Sequence, residues 1–181
     1  DGPPPPGMLG FEALLADATP VPDAMRGGED LASIMYTGGT TGKPKGVMQS
    51  HLNLWSSSIS RLAQFPLDEA TITLHAAPLF HTAAMAKAVG VFVIGGTHTM
   101  VPTFDPAEVL ETLERERVND IMLVPTMLQA ILACPDFARR DVSSLKRINY
   151  GASPINGAVL DAALAAMPNV EFSHAYGLTE A

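Results

Sequence analysis

The chain alternates short apolar runs with amphipathic segments, which is the pattern of strands alternating with helices. Strands are predicted over residues 31–36, 47–49, 71–75, 98–101, 120–124, 145–150 and 170–174. Helices are predicted over residues 51–63, 83–93, 106–117, 125–133 and 154–167, with one helical turn over 11–16. Ser50 and Asp105 are suitable N-caps, and Pro106 suits a first helical position. The order of elements predicts an α/β fold, with a largely parallel sheet flanked by helices.

Three tyrosines stand at or just beyond the ends of predicted strands. Tyr36, Tyr150 and Tyr176 are each followed by a loop that contains glycine. Ligands of parallel sheets collect at the carboxyl ends of the strands. We therefore expect these three loops to converge on one edge of the sheet and to bind a nucleotide there.

The segment 36–46 has the composition of a phosphate-binding loop. It contains four glycines, three threonines and two lysines, so backbone N–H groups, hydroxyls and positive charge lie close together. A Walker A loop is excluded, because only three residues lie between Gly38 and Gly42 where four are required, and Pro44 stands where a magnesium-binding hydroxyl is required. A plain surface turn is the remaining alternative, but it does not explain the hydroxyls and lysines.

Composition and charge narrow the function classes. The 181 residues are 47% hydrophobic and 17% charged, which indicates a globular protein. The net charge of −8 argues against a nucleic-acid binder, although no acidic residue lies between Asp30 and Asp68, around the glycine-rich loop. The single cysteine, Cys134, excludes an internal disulfide and fits a reducing compartment, and its position at a helix end favours a buried residue over a catalytic thiol.

No targeting or transmembrane segment is expected. The N-terminal residues lack a basic head and an apolar run, and the most apolar window, 83–96, contains Lys87 and is too short to span a bilayer. We expect a cytoplasmic protein, peripheral to a membrane if its substrate is a long-chain fatty acid.

Three segments in order resemble the adenylate-forming (AMP-dependent synthetase/ligase) superfamily. Residues 37–46 resemble its phosphate loop, with Gly39 where many members carry serine; residues 150–154 resemble the adenine-side loop; and residues 176–180 resemble the Tyr-Gly-x-Thr-Glu motif. The resemblance is greatest to acyl-CoA synthetases of the fatty-acid–CoA ligase type. It implies part of the N-terminal domain of such an enzyme.

The resemblance implies two half-reactions. A carboxylic acid, most simply a fatty or other apolar acid, would react with ATP to give an acyl-adenylate, and coenzyme A would then displace AMP. Lys45, Thr179 and Glu180 would be catalytic, with Glu180 binding Mg²⁺ and Thr41 a second candidate ligand. The residues expected to bind the nucleotide are Thr37, Gly38, Gly39, Thr40, Thr41, Gly42, Lys45, Gly151, Ala152, Ser153, His174, Tyr176, Gly177 and Thr179. Lys43 stands at a variable position of the family.

The acid would bind near a Pro-Leu-Phe-His segment. The resemblance places His81, Ala84 and Tyr150 at the acyl pocket, while the alternative for His81 is a hydrogen-bonded core histidine. His174 stands where relatives often carry an amide that faces adenine. The spacing of the histidines does not support a metal site.

Residues 1–30 are predicted to be an acidic lead-in rich in proline and glycine, and residues 31–181 a partial ATP- and acyl-binding core. The C-terminal domain and the upstream part of the large domain would lie outside the chain, so we expect these residues alone to form little acyl-adenylate. The alternatives are an amino-acid- or aryl-acid-activating adenylation domain and a non-catalytic nucleotide- or acyl-binding module. The amino-acid alternative usually requires an aspartate near Phe80–His81, where this sequence has none. The oligomeric state stays open.

Overall fold

The computed structural model describes residues 4–38 and 42–180, so the predicted phosphate-binding residues Gly39, Thr40 and Thr41 lie outside the described part. The helices are α1 Phe11–Asp17, α2 His51–Gln64, α3 Thr82–Val93, α4 Pro106–Arg115, α5 Pro125–Ala133 and α6 Gly157–Ala166. The strands are β1 Leu31–Thr37, β2 Lys45–Ser50, β3 Ile72–His75, β4 Thr97–Met100, β5 Asp120–Leu123, β6 Arg147–Gly151 and β7 Glu171–Ala175. Every predicted element is present.

Five strands form one parallel sheet in the order β4-β3-β5-β6-β7. This confirms the predicted α/β class. Strands β1 and β2 form a separate antiparallel hairpin, because the link of a few residues between them is too short for the crossover that parallel strands require. The expectation that all three tyrosine-bearing loops leave one sheet is therefore wrong for Tyr36, which belongs to the hairpin.

The two faces of the parallel sheet differ in polarity. One face carries Leu74, Ile121, Leu123 and Ile148, which pack with apolar residues of α4, α5 and α6 in the main hydrophobic core. The opposite face carries polar side chains at the alternate positions, and α2 and α3 pack against each other on that side. Parallel sheets are usually apolar on both faces, so the polar face is unusual.

Local signals set the helix starts. Ser50 and Asn53 form a capping box at α2, with Ser50 Oγ accepting a hydrogen bond from the Asn53 backbone. The Asp105 carboxylate accepts hydrogen bonds from two backbone N–H groups of α4, so both predicted caps are confirmed. Within residues 4–38 and 42–180, no helix has the length and apolar character needed to cross a membrane.

Candidate nucleotide site

The predicted phosphate loop connects the two strands of the hairpin. Thr37 pairs with Lys45 at the last rung, and the described loop residues Gly38, Gly42 and Lys43 are exposed. Gly42 adopts φ of +86°, a left-handed conformation that glycine tolerates best. The Lys45 side chain is also exposed and makes no ion pair with any described residue. Its charge is therefore available to an anionic ligand.

Gln49 ties the hairpin to the last predicted motif. Its Nε2 donates a hydrogen bond to the backbone oxygen of Thr179 at 3.4 Å, and its Oε1 accepts one from Ser33 Oγ at 3.0 Å. Gln49 is four residues from Lys45 along β2, a separation of about 13 Å in an extended strand. The strand that leaves the predicted phosphate loop is therefore tied directly to residues 176–180.

Met35 ties the same hairpin to the start of α3. Thr82 Oγ1 donates a hydrogen bond to Met35 Sδ at 3.4 Å, and Met35 is buried. Thr82 directly follows His81, so the hairpin lies beside the predicted acyl-side segment as well. The two anchors join three segments that are far apart in sequence.

At the end of β6, the backbone of Gly151 lies close to the backbone of β7. A Cβ on Gly151 would lie 2.2 Å from the Ala175 carbonyl oxygen, so a larger residue cannot fit without moving β7. The next residue, Ala152, adopts φ of +66° and is exposed together with Ser153. This strained turn presents backbone groups at the carboxyl edge of the sheet.

The end of β7 lies next to the end of β6 in the sheet. Tyr150 and His174 are paired in register and their rings stack with centroids 5.1 Å apart. Tyr150 is buried, whereas His174 is exposed and Tyr176 is 87% exposed. A flat, exposed aromatic side chain at this edge can stack on a purine ring.

The predicted magnesium ligand, Glu180, is accessible to an ion. The Glu180 side chain is exposed and makes no ion pair with any described residue. Mg²⁺ is typically held by one or two carboxylates together with substrate phosphates. A single free carboxylate near a phosphate loop therefore fits the ion, although the second candidate, Thr41, lies outside the described residues.

The predicted acyl-side residues differ in burial. His81 is exposed and precedes α3, and its ring lies 4.7 Å from that of Phe80. An exposed ring disfavours the alternative of a hydrogen-bonded core histidine. Ala84 is buried one turn further along α3.

Sequence reasoning missed three contributors to this region. Gln49 and Met35 received no role, although they anchor the hairpin. The buried ion pair between Lys87 Nζ and Asp120 Oδ2, which holds α3 on the polar face of the sheet, was also missed. Burial lowers the pKa of Lys87 and the adjacent Asp120 carboxylate opposes that shift. The polar residues at alternate positions of β3 and β5 were the available signal for that face.

The family model described as "AMP-binding enzyme" matches residues 1–181. The chain belongs to the AMP-binding enzyme family. A feruloyl-CoA synthase from Amycolatopsis is 40% identical over 171 residues, which cover 92% of this chain and 33% of the relative. The medium/long-chain-fatty-acid–CoA ligase FadD8 of Mycobacterium tuberculosis is 37% identical over 173 residues, which cover 96% of this chain and 30% of the ligase.

Solved structures of this family have the same fold. The inhibitor-bound N-terminal domain of FACL13 from Mycobacterium tuberculosis superposes with a TM-score of 0.83 at 32% identity, covering 93% of this chain and 42% of that domain. The o-succinylbenzoate coenzyme A synthetase MenE of Bacillus subtilis, in complex with AMP, superposes with a TM-score of 0.72 at 31% identity, over 84% of this chain and 38% of the other. The chain thus spans about a third of the length of the curated relatives.

Proposed function

We propose that these residues form part of the nucleotide- and acid-binding core of an ATP-dependent acid–thiol ligase. The observation that carries this proposal is the pair of anchors on the hairpin, at Gln49 and Met35, which tie it to residues 176–180 and to the start of α3 beside His81. Membership of the AMP-binding enzyme family supplies the reaction class. Residues 31–181 would be the binding core and residues 1–30 a lead-in to it.

In the first half-reaction, a carboxylate oxygen of the acid attacks the α-phosphorus of ATP, and the bond from that phosphorus to the bridging oxygen of pyrophosphate breaks. In the second, the sulfur of coenzyme A attacks the acyl carbon, the bond to AMP breaks, and the thiol proton is released. The first step brings two anions together, so charge neutralisation and alignment dominate its barrier.

The residues of the site have separate tasks in this scheme. Lys45 and the N–H and hydroxyl groups of residues 37–42 would bind the β- and γ-phosphates. Thr179 would donate to the α-phosphate, and Glu180 would hold Mg²⁺, which neutralises phosphate charge when bound. Tyr176 would stack on adenine, with Gly151, Ala152 and Ser153 against its other side and His174 and Gly177 at the rim.

We infer an apolar acid as the substrate. No acidic residue occurs between Glu69 and Asp105, so the segment around His81 lacks the carboxylate that an ammonium group would require. Ala84, which is small and buried in α3, and Tyr150 would border the acid. Both alkyl and aryl acids satisfy these conditions; relatives named for feruloyl and for medium- and long-chain fatty acyl groups favour the same class.

Binding of Mg·ATP to the chain tests the nucleotide site directly. Titration of Mg·ATP by calorimetry should show saturable binding, which Lys45→Ala weakens at least about ten-fold, since a charge-assisted contact contributes about 1.5–3 kcal/mol. Lys146→Ala, at an exposed lysine at the opposite end of β6, is the matched control and should bind normally. Equal affinities of both variants and the unchanged chain would refute the assignment.

A comparison of Mg·ATP binding with AMP binding tests whether Glu180 binds Mg²⁺. Glu180→Gln should lower the affinity for Mg·ATP while leaving the affinity for metal-free AMP unchanged. Glu69→Gln, at an exposed carboxylate, should change neither. The reaction class is tested by ATP–pyrophosphate exchange of the whole protein with alkyl, aryl and amino acids, where exchange with amino acids alone would contradict the proposal.

A further inference from the structure

A narrow cleft opens on the polar face of the sheet, beneath α2 and α3. Its lining residues are Arg61, Phe65, Leu67, Lys87, Asp120, Arg147, Asn149 and Ser173. Arg147 begins β6 and Gly151 ends it, so the two are about 13 Å apart. The end of the cleft that Arg147 lines therefore lies away from the candidate nucleotide site at the carboxyl edge.

Positive charge exceeds negative charge in this cleft. Three lining side chains are basic and only one, Asp120, is acidic. The Asp120 carboxylate is already engaged, because it pairs with Lys87 and accepts a hydrogen bond from Thr73 Oγ1 at 2.9 Å. Two arginines therefore share the cleft without a carboxylate of their own.

Neither arginine has a full partner among the described residues. Arg61 Nη1 reaches only the neutral Asn149 Oδ1, at 3.5 Å. Arg147 Nε is buried and has no hydrogen-bond partner within residues 4–38 and 42–180. Glu171 is next to Arg147 in the sheet, but it is exposed and no ion pair within 4 Å joins them.

Half-buried cations that lack a charged partner are costly. Burial lowers the pKa of both Arg61 and Lys87, because removing a cation from water disfavours its charged form. An unsatisfied charged N–H group loses its hydration without a replacement. Water in the cleft would satisfy hydrogen bonds but would leave the excess charge, whereas an anion would meet both needs.

We propose that this cleft binds one small monovalent inorganic anion, of the halide class, between Arg61 and Arg147. The space between the lining side chains is small, so a single monatomic ion fits it better than a phosphate or a nucleotide does. Asn149 Nδ2 bonds Ser173 Oγ at 3.0 Å, so the Ser173 hydroxyl proton is free to point to the anion. The apolar residues Phe65 and Leu67 shield the site and strengthen the attraction.

Thermal unfolding at constant ionic strength tests the site. The melting temperature of the chain should rise saturably when gluconate, which is too large for the cleft, is replaced by chloride or bromide. At an anion concentration ten times the dissociation constant, the rise should be about 3–6 °C. Arg147→Gln should abolish the rise, and Arg139→Gln, at an arginine that is 80% exposed, should retain it.

Diffraction provides a test that does not depend on a variant. Crystals soaked in bromide should show an anomalous peak within about 3.5 Å of Arg147 Nε. A melting temperature that is identical in gluconate and chloride, or a cleft without an anomalous peak, would overturn the proposal. So would an anion response that survives in Arg147→Gln, or in Arg61→Gln if the first variant does not fold.

Discussion

Gln49 Nε2 donates a hydrogen bond to the Thr179 carbonyl oxygen across 130 residues of sequence. Gln49 belongs to the strand that leaves the phosphate loop, and Thr179 belongs to the segment predicted to contact the α-phosphate and Mg²⁺. The two segments predicted to bind phosphate are thus joined by the buried Gln49 amide. Preorganisation of this kind reduces the ordering cost of nucleotide binding.

The substitution Gln49→Leu should weaken nucleotide binding without touching the nucleotide. Loss of the bond should destabilise the fold by about 1 kcal/mol, and binding of Mg·ATP should weaken about five-fold because the loop is no longer positioned. Calorimetric titration and thermal unfolding measure the two effects. Gln64→Leu, at an exposed glutamine that ends α2, is the matched control and should bind normally. An unchanged affinity of Gln49→Leu would show that the contact has no role in positioning.

The turn after β6 predicts a steric effect. Gly151→Ala places a methyl group 2.2 Å from the Ala175 carbonyl oxygen, so β6 and β7 must separate. Overpacking of this kind costs about 1–3 kcal/mol, and the shift should also weaken AMP binding. Gly157→Ala is the control, because its added Cβ meets nothing within 4 Å at the start of α6. It should be neutral or stabilising by up to about 1 kcal/mol. Equal stability of the two variants would contradict the packing argument.

The order and type of elements could be read from sequence because local signals agree with the fold. Ser50, Asp105 and Pro106 mark helix starts, and the apolar stripe that contains Leu110 and Leu113 specifies the buried face of α4. The three glycine-containing segments indicate the family from sequence because each is contiguous and they follow one another in the family's order. Local propensity and tertiary requirement coincide at these positions.

The relationships between distant residues could not be read in the same way. Nothing near Gln49 in the sequence indicates that its amide meets Thr179, and Met35 resembles any buried residue of a strand. The sequence shows Lys87 only as a charge in an apolar helix; its partner Asp120 is brought to it by parallel pairing of β3 and β5. Such pairings depend on topology, which strand propensities do not encode.

Removing the lysine of the buried Lys87–Asp120 pair should destabilise the fold far more than removing the arginine of an exposed ion pair. Lys87→Met should destabilise the fold by about 3–5 kcal/mol, because the Asp120 carboxylate is left buried without its partner. The double variant Lys87→Met with Asp120→Asn should recover part of this loss. Arg117→Met, which removes the exposed pair with Asp141, should lower the melting temperature far less. A Lys87→Met variant as stable as Arg117→Met would contradict the assignment of a buried pair.

The paired histidines predict a dependence of stability on pH. His75 Nε2 and His98 Nδ1 lie 2.9 Å apart, so one ring donates and the other accepts, and at most one of the two rings can be protonated on both nitrogens. The pKa of His75 falls from 6.5 to about 4, first because of burial and then because His98 and Lys87 disfavour a second positive charge, while Asp120 opposes the shift. The unfolded chain takes up a proton on His75 at a higher pH than the folded chain. His75 therefore contributes stability above pH 6.5 that is lost as the pH falls from about 6.5 to about 4.

The loss from this one histidine should be on the order of 2 kcal/mol, after allowance for screening by solvent. Other groups titrate in the same range, so the informative quantity is the difference between variants. Free energies of unfolding measured between pH 7 and pH 4 should fall less steeply for His75→Gln, whose amide keeps a hydrogen bond to His98 but cannot be protonated. His51→Gln, at the first position of α2, controls for the loss of a histidine outside the pair. Parallel pH profiles of His75→Gln and the unchanged chain would show that His75 is protonated in the folded state as readily as in the unfolded one.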